Sequence, residues 1–294
     1  MRIGWVGVGK MGLPMATHVL KAGHAVAACD RVPALVAAIV ARGATAAGTP
    51  AAAAREAEVV FSSVPDDDAL RAVALGENGV LAAARPGTVF VDTSTVSPAV
   101  SAEIAIAAAA KRVDYLRVAI SGNNKMAEQA AVTVMASGEQ GTYDRCRPLL
   151  AFFGPQQYYV GDAEQARTLK LVINLLVYAT FGGLAEALAL GRRGGLDWQQ
   201  MLDVIAASAV GSPLMKAKSI DLKKRDFSPT FTCMQARKDL DLIAGAAAAT
   251  GIPVPLAAQV SQMIEACIAN GSAEEDYAAM IKAVERSAGL RCSW

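Results

Sequence analysis

The stretch LKLVINLLVYATFGGLAEALAL, residues 169–190, is the most apolar of the chain, yet it carries Lys170 and Asn174 near its start. Four residues apart, the two share one face of a helix. Burying a lysine among apolar side chains is costly unless it is paired. One reading is that Lys170 snorkels from the helix end with its head in water. The other is chemical. An unperturbed lysine titrates near about 10.4, too high for an efficient base at neutral pH. Desolvation disfavours its charged form and brings that value down. An amine in an apolar helix, with an amide one turn away, is therefore a candidate acid/base with an orienting partner.

The segment IGWVGVGKMGLPMATHVL suggests a second site. Gly7, Gly9 and Gly12 form a G-x-G-x-x-G pattern around Val8, Lys10 and Met11, after a strand-like run and before a helical one. In that setting Gly7 permits a tight turn, Gly9 lets the backbone approach a pyrophosphate, and Gly12 allows close helix–strand packing. The N–H groups of the following helix then offer a seat for phosphates. Asp30 closes the next apolar run, near the roughly 20-residue offset at which a carboxylate receives the ribose hydroxyls of NAD. Arg31 could instead hold the 2′-phosphate of NADP. The carboxylate favours NAD and the arginine leaves NADP open; a surface turn with no ligand is the plain alternative.

Three more polar turns follow apolar runs: VPDDD at 64–68, DTSTVSP at 92–98 and SGNN at 121–124. Asp66, Asp67 and Asp68 could suggest a metal, but no histidine or second acidic cluster supports one, and acids at a helix N-terminus are the preferred reading. Ser94 and Thr95 are hydroxyl donors to a ligand or helix caps. Ser121, Gly122, Asn123 and Asn124 could hold a carboxylate through backbone N–H groups and amides, or form an ordinary turn.

These turns need a scaffold that gathers them. Short apolar runs at 3–8, 25–29, 59–64, 89–91 and 118–120 alternate with Ala-rich helical stretches, and two further β-like runs lie at 131–135 and 157–160. This rhythm predicts an α/β Rossmann-type doubly wound sheet, whose ligands bind outside the carboxyl ends of the strands. From about residue 165 the pattern becomes helical. We expect a dinucleotide-binding domain over 1–162 and an all-α C-terminal substrate and dimerisation domain over 163–294, built on a long interdomain helix. The Ala tracts at 51–54, 107–110 and 246–249 read as tightly packed helices.

With 294 residues, 53% of them apolar, the chain can bury a sizeable core. A net charge of +1 gives no electrostatic case for nucleic acid or an anionic membrane. Five scattered cysteines (Cys29, Cys146, Cys233, Cys267, Cys292) show neither metal spacing nor a disulfide framework and suit a reducing cytoplasm. Glycines break residues 1–9 too early for a signal-peptide core. Residues 171–190 are nearly long enough to span a bilayer, but Asn174, Thr180 and Glu186 interrupt them, and a central helix of a large helical domain is preferred. His18 and His24 read as structural. Trp5, Trp198 and Trp294 form no stacking array for nucleic acid.

Taken together the motifs resemble the β-hydroxyacid dehydrogenase family, which includes 3-hydroxyisobutyrate dehydrogenases and tartronate semialdehyde reductases. The resemblance covers nearly the whole chain. GVGKMGLPMATHVL is similar to the extended cofactor fingerprint, FVDTSTVSP to the second signature, LKLVIN to the catalytic Lys-x-x-x-Asn, and RKDLDLIAGAA to the late Lys-Asp-Leu segment. RVAISGNN lies where the family has Asp-Ala-Pro-Val-Ser-Gly-Gly. The resemblance implies that Lys170 is catalytic and that Asn174 orients it and the substrate. It implies that Ser121 and Gly122, with Asn123 and Asn124, hold a substrate carboxylate. Thr95 would contact nicotinamide and substrate, Lys238 would reach cofactor and substrate, Val64 and Pro65 would pack beside the cofactor, and Phe231 would line the cleft or the core. Departures are Arg117-Val118-Ala119 for Asp-Ala-Pro, Asn123 for the second glycine, Asn124 and Lys125 for small or apolar residues, and Ala130-Ala131 for a downstream Gly-Thr. Glu164 and Ala166 stand for glycines before the lysine, and Ile173 stands for a further asparagine.

The implied activity is reversible hydride transfer between NAD, or NADP, and a small β-hydroxy acid or its semialdehyde, with no metal. Alternatives are an imine-reducing enzyme of the same fold and a cofactor-binding regulatory protein without turnover. The resemblance further implies a 6-phosphogluconate dehydrogenase-like C-terminal domain that forms a homodimer or a dimer of dimers.

Overall fold

A computed structural model describes residues 1–290; Cys292 and Trp294 lie outside the described residues. It divides into two compact units, Met1–Val172 and Ile173–Trp294, with the division inside one continuous helix.

The first unit is an eight-stranded sheet. Its strands are β1 (Arg2–Val6), β2 (Ala25–Cys29), β3 (Thr45–Ala46), β4 (Val59–Ser62), β5 (Val89–Asp92), β6 (Asp114–Ser121), β7 (Thr133–Ser137) and β8 (Gln156–Tyr159), in spatial order β3-β2-β1-β4-β5-β6-β7-β8. All neighbours pair in parallel except β6 and β7. The order reverses between β1 and β4, which creates the crevice where doubly wound sheets take ligands. Strands β4 and β5 are buried at every position, as expected of strands covered on both faces. The two-residue β3 is fully exposed and carries no apolar pattern, which is why the sequence did not disclose it.

Helices α1 (Gly12–Lys21), α2 (Pro33–Val40), α3 (Pro50–Ala54), α4 (Asp67–Leu75), α5 (Val80–Ala83), α6 (Pro98–Ala110), α7 (Asn124–Glu128) and α8 (Gln140–Leu150) surround the sheet. One core layer centres on Trp5, stacked 4.7 Å from Phe61 and edge-on to Phe153 at 5.9 Å. The other collects Val60, Phe90, Val100, Ile104 and Tyr115.

Helix α9 (Gln165–Arg193) then leads into α10 (Trp198–Ala207), α11 (Pro213–Lys223), α12 (Cys233–Thr250), α13 (Pro255–Ala269) and α14 (Met280–Ser287). The sequence reading of a buried helix at 169–190 needs correction: Val172, Leu176 and Leu190 are 48%, 64% and 76% exposed. A helix 29 residues long buries one stripe within the chain and leaves these apolar positions outside it. The tract at 246–249 is likewise not tightly packed, since Ala248 and Ala249 are exposed at the outer end of α12.

The helical unit is fastened by buried charges. Glu285, fully buried on α14, accepts from Arg192 and takes a two-pronged hydrogen bond from Arg225 at 2.8 and 2.6 Å. Asp276 accepts from Lys218 Nζ at 2.6 Å and from Thr230 Oγ1 at 2.8 Å. Removing Glu285 takes the shared buried carboxylate from both arginines, and breaking a buried ion pair from one side is strongly destabilising. Glu285→Leu should therefore lower stability by about 3–5 kcal/mol in urea unfolding followed by tryptophan fluorescence.

Candidate functional site

The glycine loop after β1 adopts the geometry its composition dictates. Gly7 has φ +86°, a left-handed conformation suited to glycine, and its N–H donates to Cys29 O at 2.8 Å. A Cβ on Gly12 would stand 2.0 Å from Gly7 O, so only glycine lets α1 start this close to β1. A Cβ on Gly9 would meet nothing within 4 Å. That open space lies beside a helix whose first turn has no side-chain cap, an arrangement with room and free N–H groups for an anion such as pyrophosphate.

A cavity of about 570 Å³ continues from this loop and is lined by Gly7, Gly9, Asp30, Arg31, Val64 and Pro65 among others. Six of the residues proposed for the cofactor are thus brought together, and the loop residues Val8, Lys10, Met11 and Gly12 adjoin them in the chain. Asp30 does more than line the cavity. Its Oδ2 accepts from Val8 N at 2.9 Å and its Oδ1 from Val32 N at 2.9 Å, so the carboxylate also braces the glycine loop. Thr49, which also lines the cavity and caps α3, carried no sequence signal.

The next turns are bound to one another. Asp66 caps α4 through Ala69 N at 2.8 Å, and Asp67 accepts from Ser97 N at 2.8 Å and Ser97 Oγ at 2.6 Å. No group of residues that could hold a metal occurs among the described residues. Ser97, not Ser94 or Thr95, caps α6. Ser94 instead donates to Asp92 Oδ1 at 2.6 Å and accepts from Val64 N at 2.9 Å, leaving Thr95 presented by a loop anchored on both sides.

Asp92 lies at the end of β5 and is fully buried. It pairs at 2.5 Å with Arg167, itself 1% exposed, in the first turn of α9. Burial works against the charge on Arg167, but Asp92 and Tyr115 outweigh it and raise its pKa. Burial likewise pushes the Tyr115 phenol up to about 12.

One turn later Lys170, half-buried, donates from Nζ to Ile120 O at 2.8 Å. This places the amine at the end of β6, beside the SGNN turn. That turn is not a simple reverse turn. Asn123 caps the short α7, its Oδ1 accepting from Met126 N at 3.0 Å, which engages the amide oxygen and leaves the NH2 as the group that could donate to a carboxylate. Gly122 sits at φ +144°, where a Cβ would press to 3.0 Å from Val132 Cγ1. Asn124 Oδ1 is buried without a hydrogen-bond partner. His18 Nε2 lies 2.9 Å from Ala127 O, a structural use.

In the helical unit, Asn174 is buried and donates from Nδ2 to Asp239 Oδ2 at 2.6 Å. A carboxylate only accepts, so the Asn174 amide is oriented with its oxygen turned away. Tyr178 donates to the same oxygen at 3.0 Å, and Lys238 Nζ lies 3.0 Å from Asp239 Oδ1. Burial first, then Asp239, holds the Tyr178 phenol well above its ordinary pKa. The sequence reading took Lys238 from the Lys-Asp-Leu segment and missed its neighbour Asp239, whose burial no local pattern reveals. Phe231 is half-buried.

Residues 2–161 match the NAD binding domain of 6-phosphogluconate dehydrogenase, and residues 165–284 match the NAD-binding family described for NADP-dependent 3-hydroxyisobutyrate dehydrogenase. The chain is 36% identical to 2-(hydroxymethyl)glutarate dehydrogenase of Eubacterium barkeri over 100% of its own length and 98% of the relative. The chain belongs to the β-hydroxyacid dehydrogenase family. Among solved structures of this family, 3-hydroxyisobutyrate dehydrogenase from Salmonella typhimurium superposes with a TM-score of 0.86 at 31% identity, covering 95% of this chain and 98% of that one. The chain is also 27% identical to cytokine-like nuclear factor N-PAC of Xenopus tropicalis over 96% of its own length, spanning about half, 53%, of that relative. As a member of the family it is an NAD(P)-dependent oxidoreductase of hydroxy acids with a two-domain Rossmann-type architecture.

Helix α9 is long and apolar enough to cross a membrane by length and composition, and it opens the second family match at residue 165. Two departures from the family pattern prove to be one. Arg117, where the family has Asp, donates from Nε to Glu164, where it has Gly, at 2.8 Å. The two residues form one ion pair, which ties β6 to the residue before α9.

The loop geometry separates two glycines experimentally. Gly9→Ala should leave the melting temperature unchanged and weaken NAD(P)H binding at least about tenfold in a fluorescence titration, because a methyl there fills space needed by phosphate. Gly12→Ala should instead lower the melting temperature, since its Cβ collides with backbone.

Proposed function

We propose that this enzyme oxidises a small β-hydroxy acid, or reduces the matching semialdehyde, with Lys170 as the acid/base. The observation that carries the reading is the 2.8 Å hydrogen bond from Lys170 Nζ to Ile120 O, which brings the amine to the start of the SGNN turn. A nicotinamide held along the glycine loop would supply the hydride chemistry at the carbinol carbon. On oxidation Lys170, as the free amine, accepts the hydroxyl proton as the C–H electron pair leaves with the hydride; on reduction the ammonium returns a proton to the carbonyl oxygen.

Other residues supply placement. The backbone N–H groups of Ser121, Gly122, Asn123 and Asn124, with the Asn124 amide, receive the substrate carboxylate. Asn174, its oxygen left over by Asp239, accepts from the ammonium or the substrate hydroxyl. Thr95 and Lys238 complete the contacts to cofactor and substrate. NAD is the preferred cofactor because the Asp30 carboxylate faces the cavity and repels a 2′-phosphate, with Arg31 as the element that would admit NADP. The functional division is 1–162 for cofactor and 163–294 for substrate and assembly, in the cytoplasm.

The helical unit also leaves Leu176, Leu190, Val204, Ile220 and Leu256 more than half exposed, more apolar surface than scattered residues explain. We read this surface as the contact of a homodimer or a dimer of dimers.

Three measurements test this reading. Lys170→Ala should abolish turnover while NAD(H) still quenches tryptophan fluorescence; turnover at the wild-type rate would refute the acid/base role. A panel of 2-(hydroxymethyl)glutarate, 3-hydroxyisobutyrate, tartronate semialdehyde and L-serine should contain at least one substrate. Cofactor binding with no turnover of any would mark a regulatory protein instead. Light scattering should give at least twice the chain mass, and Leu176→Lys with Leu190→Lys should halve it.

A further inference from the structure

Arg167 touches no part of the cofactor cavity, yet it is the most heavily engaged side chain of the first unit. It is buried to 1% exposure. Its Nη1 donates to Ser94 O at 2.8 Å, its Nη2 to Asp92 Oδ2 at 2.5 Å and Tyr115 OH at 3.2 Å, and its Nε to Ser101 Oγ at 3.2 Å. The acceptors come from the β5–α6 turn, α6 and β6, while the guanidinium itself belongs to α9.

Asp92 relays the contact further. Ser62 Oγ donates to its Oδ1 at 2.5 Å, as does Ser94 Oγ at 2.6 Å, and that serine holds Val64 N. One guanidinium therefore joins three places assigned to the reaction. These are the Val64 turn, the Ser94–Thr95 turn through its own backbone carbonyl, and the helix turn that carries Lys170 three residues on. The planar fork of an arginine can satisfy acceptors on several sides in fixed geometry; a lysine ammonium cannot. Ser62, Asp92, Ser94, Ser101 and Arg167 are all buried to 3% exposure or less.

We propose that Arg167 is a positioning residue, whose guanidinium sets the first turn of α9 against the Ser94–Thr95 turn and so places Lys170 relative to Thr95. The inference rests on the assignment of Lys170 above. It explains why a charge that costs much to bury occupies this point: hydride and proton transfer tolerate little displacement of the reacting groups, and about 1 Å of error can lower a rate by roughly a hundredfold.

The test uses the full chain with Arg167→Lys and Arg167→Met, and Arg145→Met as a control that breaks an exposed pair with Asp114. With NAD⁺ and the best substrate of the panel, both Arg167 variants should lose about a hundredfold in kcat, while KM for NAD⁺ moves less than about threefold. The control should match wild type. In the same proteins without substrate, hydrogen–deuterium exchange should accelerate at residues 93–97 and 165–171 together. A purely structural arginine would lower the melting temperature with wild-type kcat per folded molecule, and that result overturns the proposal. Unchanged exchange at 93–97 in Arg167→Lys, the milder variant, overturns it as well. If wild-type enzyme turns over none of the panel, the functional reading fails, and the exchange measurement alone decides whether Arg167 couples the two segments.

Discussion

The buried ion pair between Asp92 and Arg167 is the constraint on which the first unit depends. A Rossmann-type sheet delivers its loops to one edge, but each loop is free to move unless something ties it to its neighbours. Here the tie is a carboxylate at the end of β5 that receives Ser62, Ser94 and Arg167 at once. Two further contacts repeat it one strand over. Arg117 on β6 pairs with Glu164, and Ser137 on β7 donates to Ala163 O at 2.7 Å while accepting from Ala166 N at 3.1 Å. The start of α9 is thus held across three successive strands before Lys170 is reached.

Much of this architecture was legible in the sequence, for a definite reason. Sheet strands buried on both faces leave dense apolar runs, and phosphate-binding turns need glycine where a Cβ would collide. Gly7 and Gly12 meet that condition, so the motif and the geometry are the same statement. The Lys170–Asn174 spacing was legible because a helix turns a four-residue interval into a shared face. What was not legible depends on contacts distant in sequence. Asp239 lies beside a residue the motif picks out, but its partners are Asn174 and Tyr178, more than sixty positions away. Arg167 looks like any helix arginine until its acceptors, 52 to 75 residues earlier, are placed around it. The capping role of Asn123 was not legible either, because composition says nothing about a five-residue helix that needs a cap.

The departures from the family pattern gain a different meaning in space. Read singly, Arg117 for an acid and Glu164 for a glycine suggest a weakened site. Read as a pair, they cancel each other's charge in an ion pair whose side chains are 9% and 18% exposed. A glycine before a helix gives the backbone freedom; a glutamate held by an arginine removes it. The same strand that presents Ser121 is thereby tied to the helix that presents Lys170. The glycine loop, by contrast, keeps the G-x-G-x-x-G form.

Buried ion pairs are weak evidence for stability, because desolvating two charges cancels most of their attraction, and well-packed apolar residues often do as well. Asp92–Arg167, Arg117–Glu164 and Asp239 with its partners are therefore poorly explained as a way of making the fold more stable. They are better explained by direction. An apolar contact tolerates sliding, whereas a carboxylate flanked by donors fixes angles as well as distances. A proton-transfer amine must meet a substrate oxygen within hydrogen-bond reach, and an orienting amide must present the correct end. Asp239 engages the NH2 end of the Asn174 amide, and Arg167 with Asp92 ties the first turn of α9 to the end of β5. The charged interior of this fold is the means by which an apolar scaffold holds a few polar atoms to the tolerance that chemistry demands.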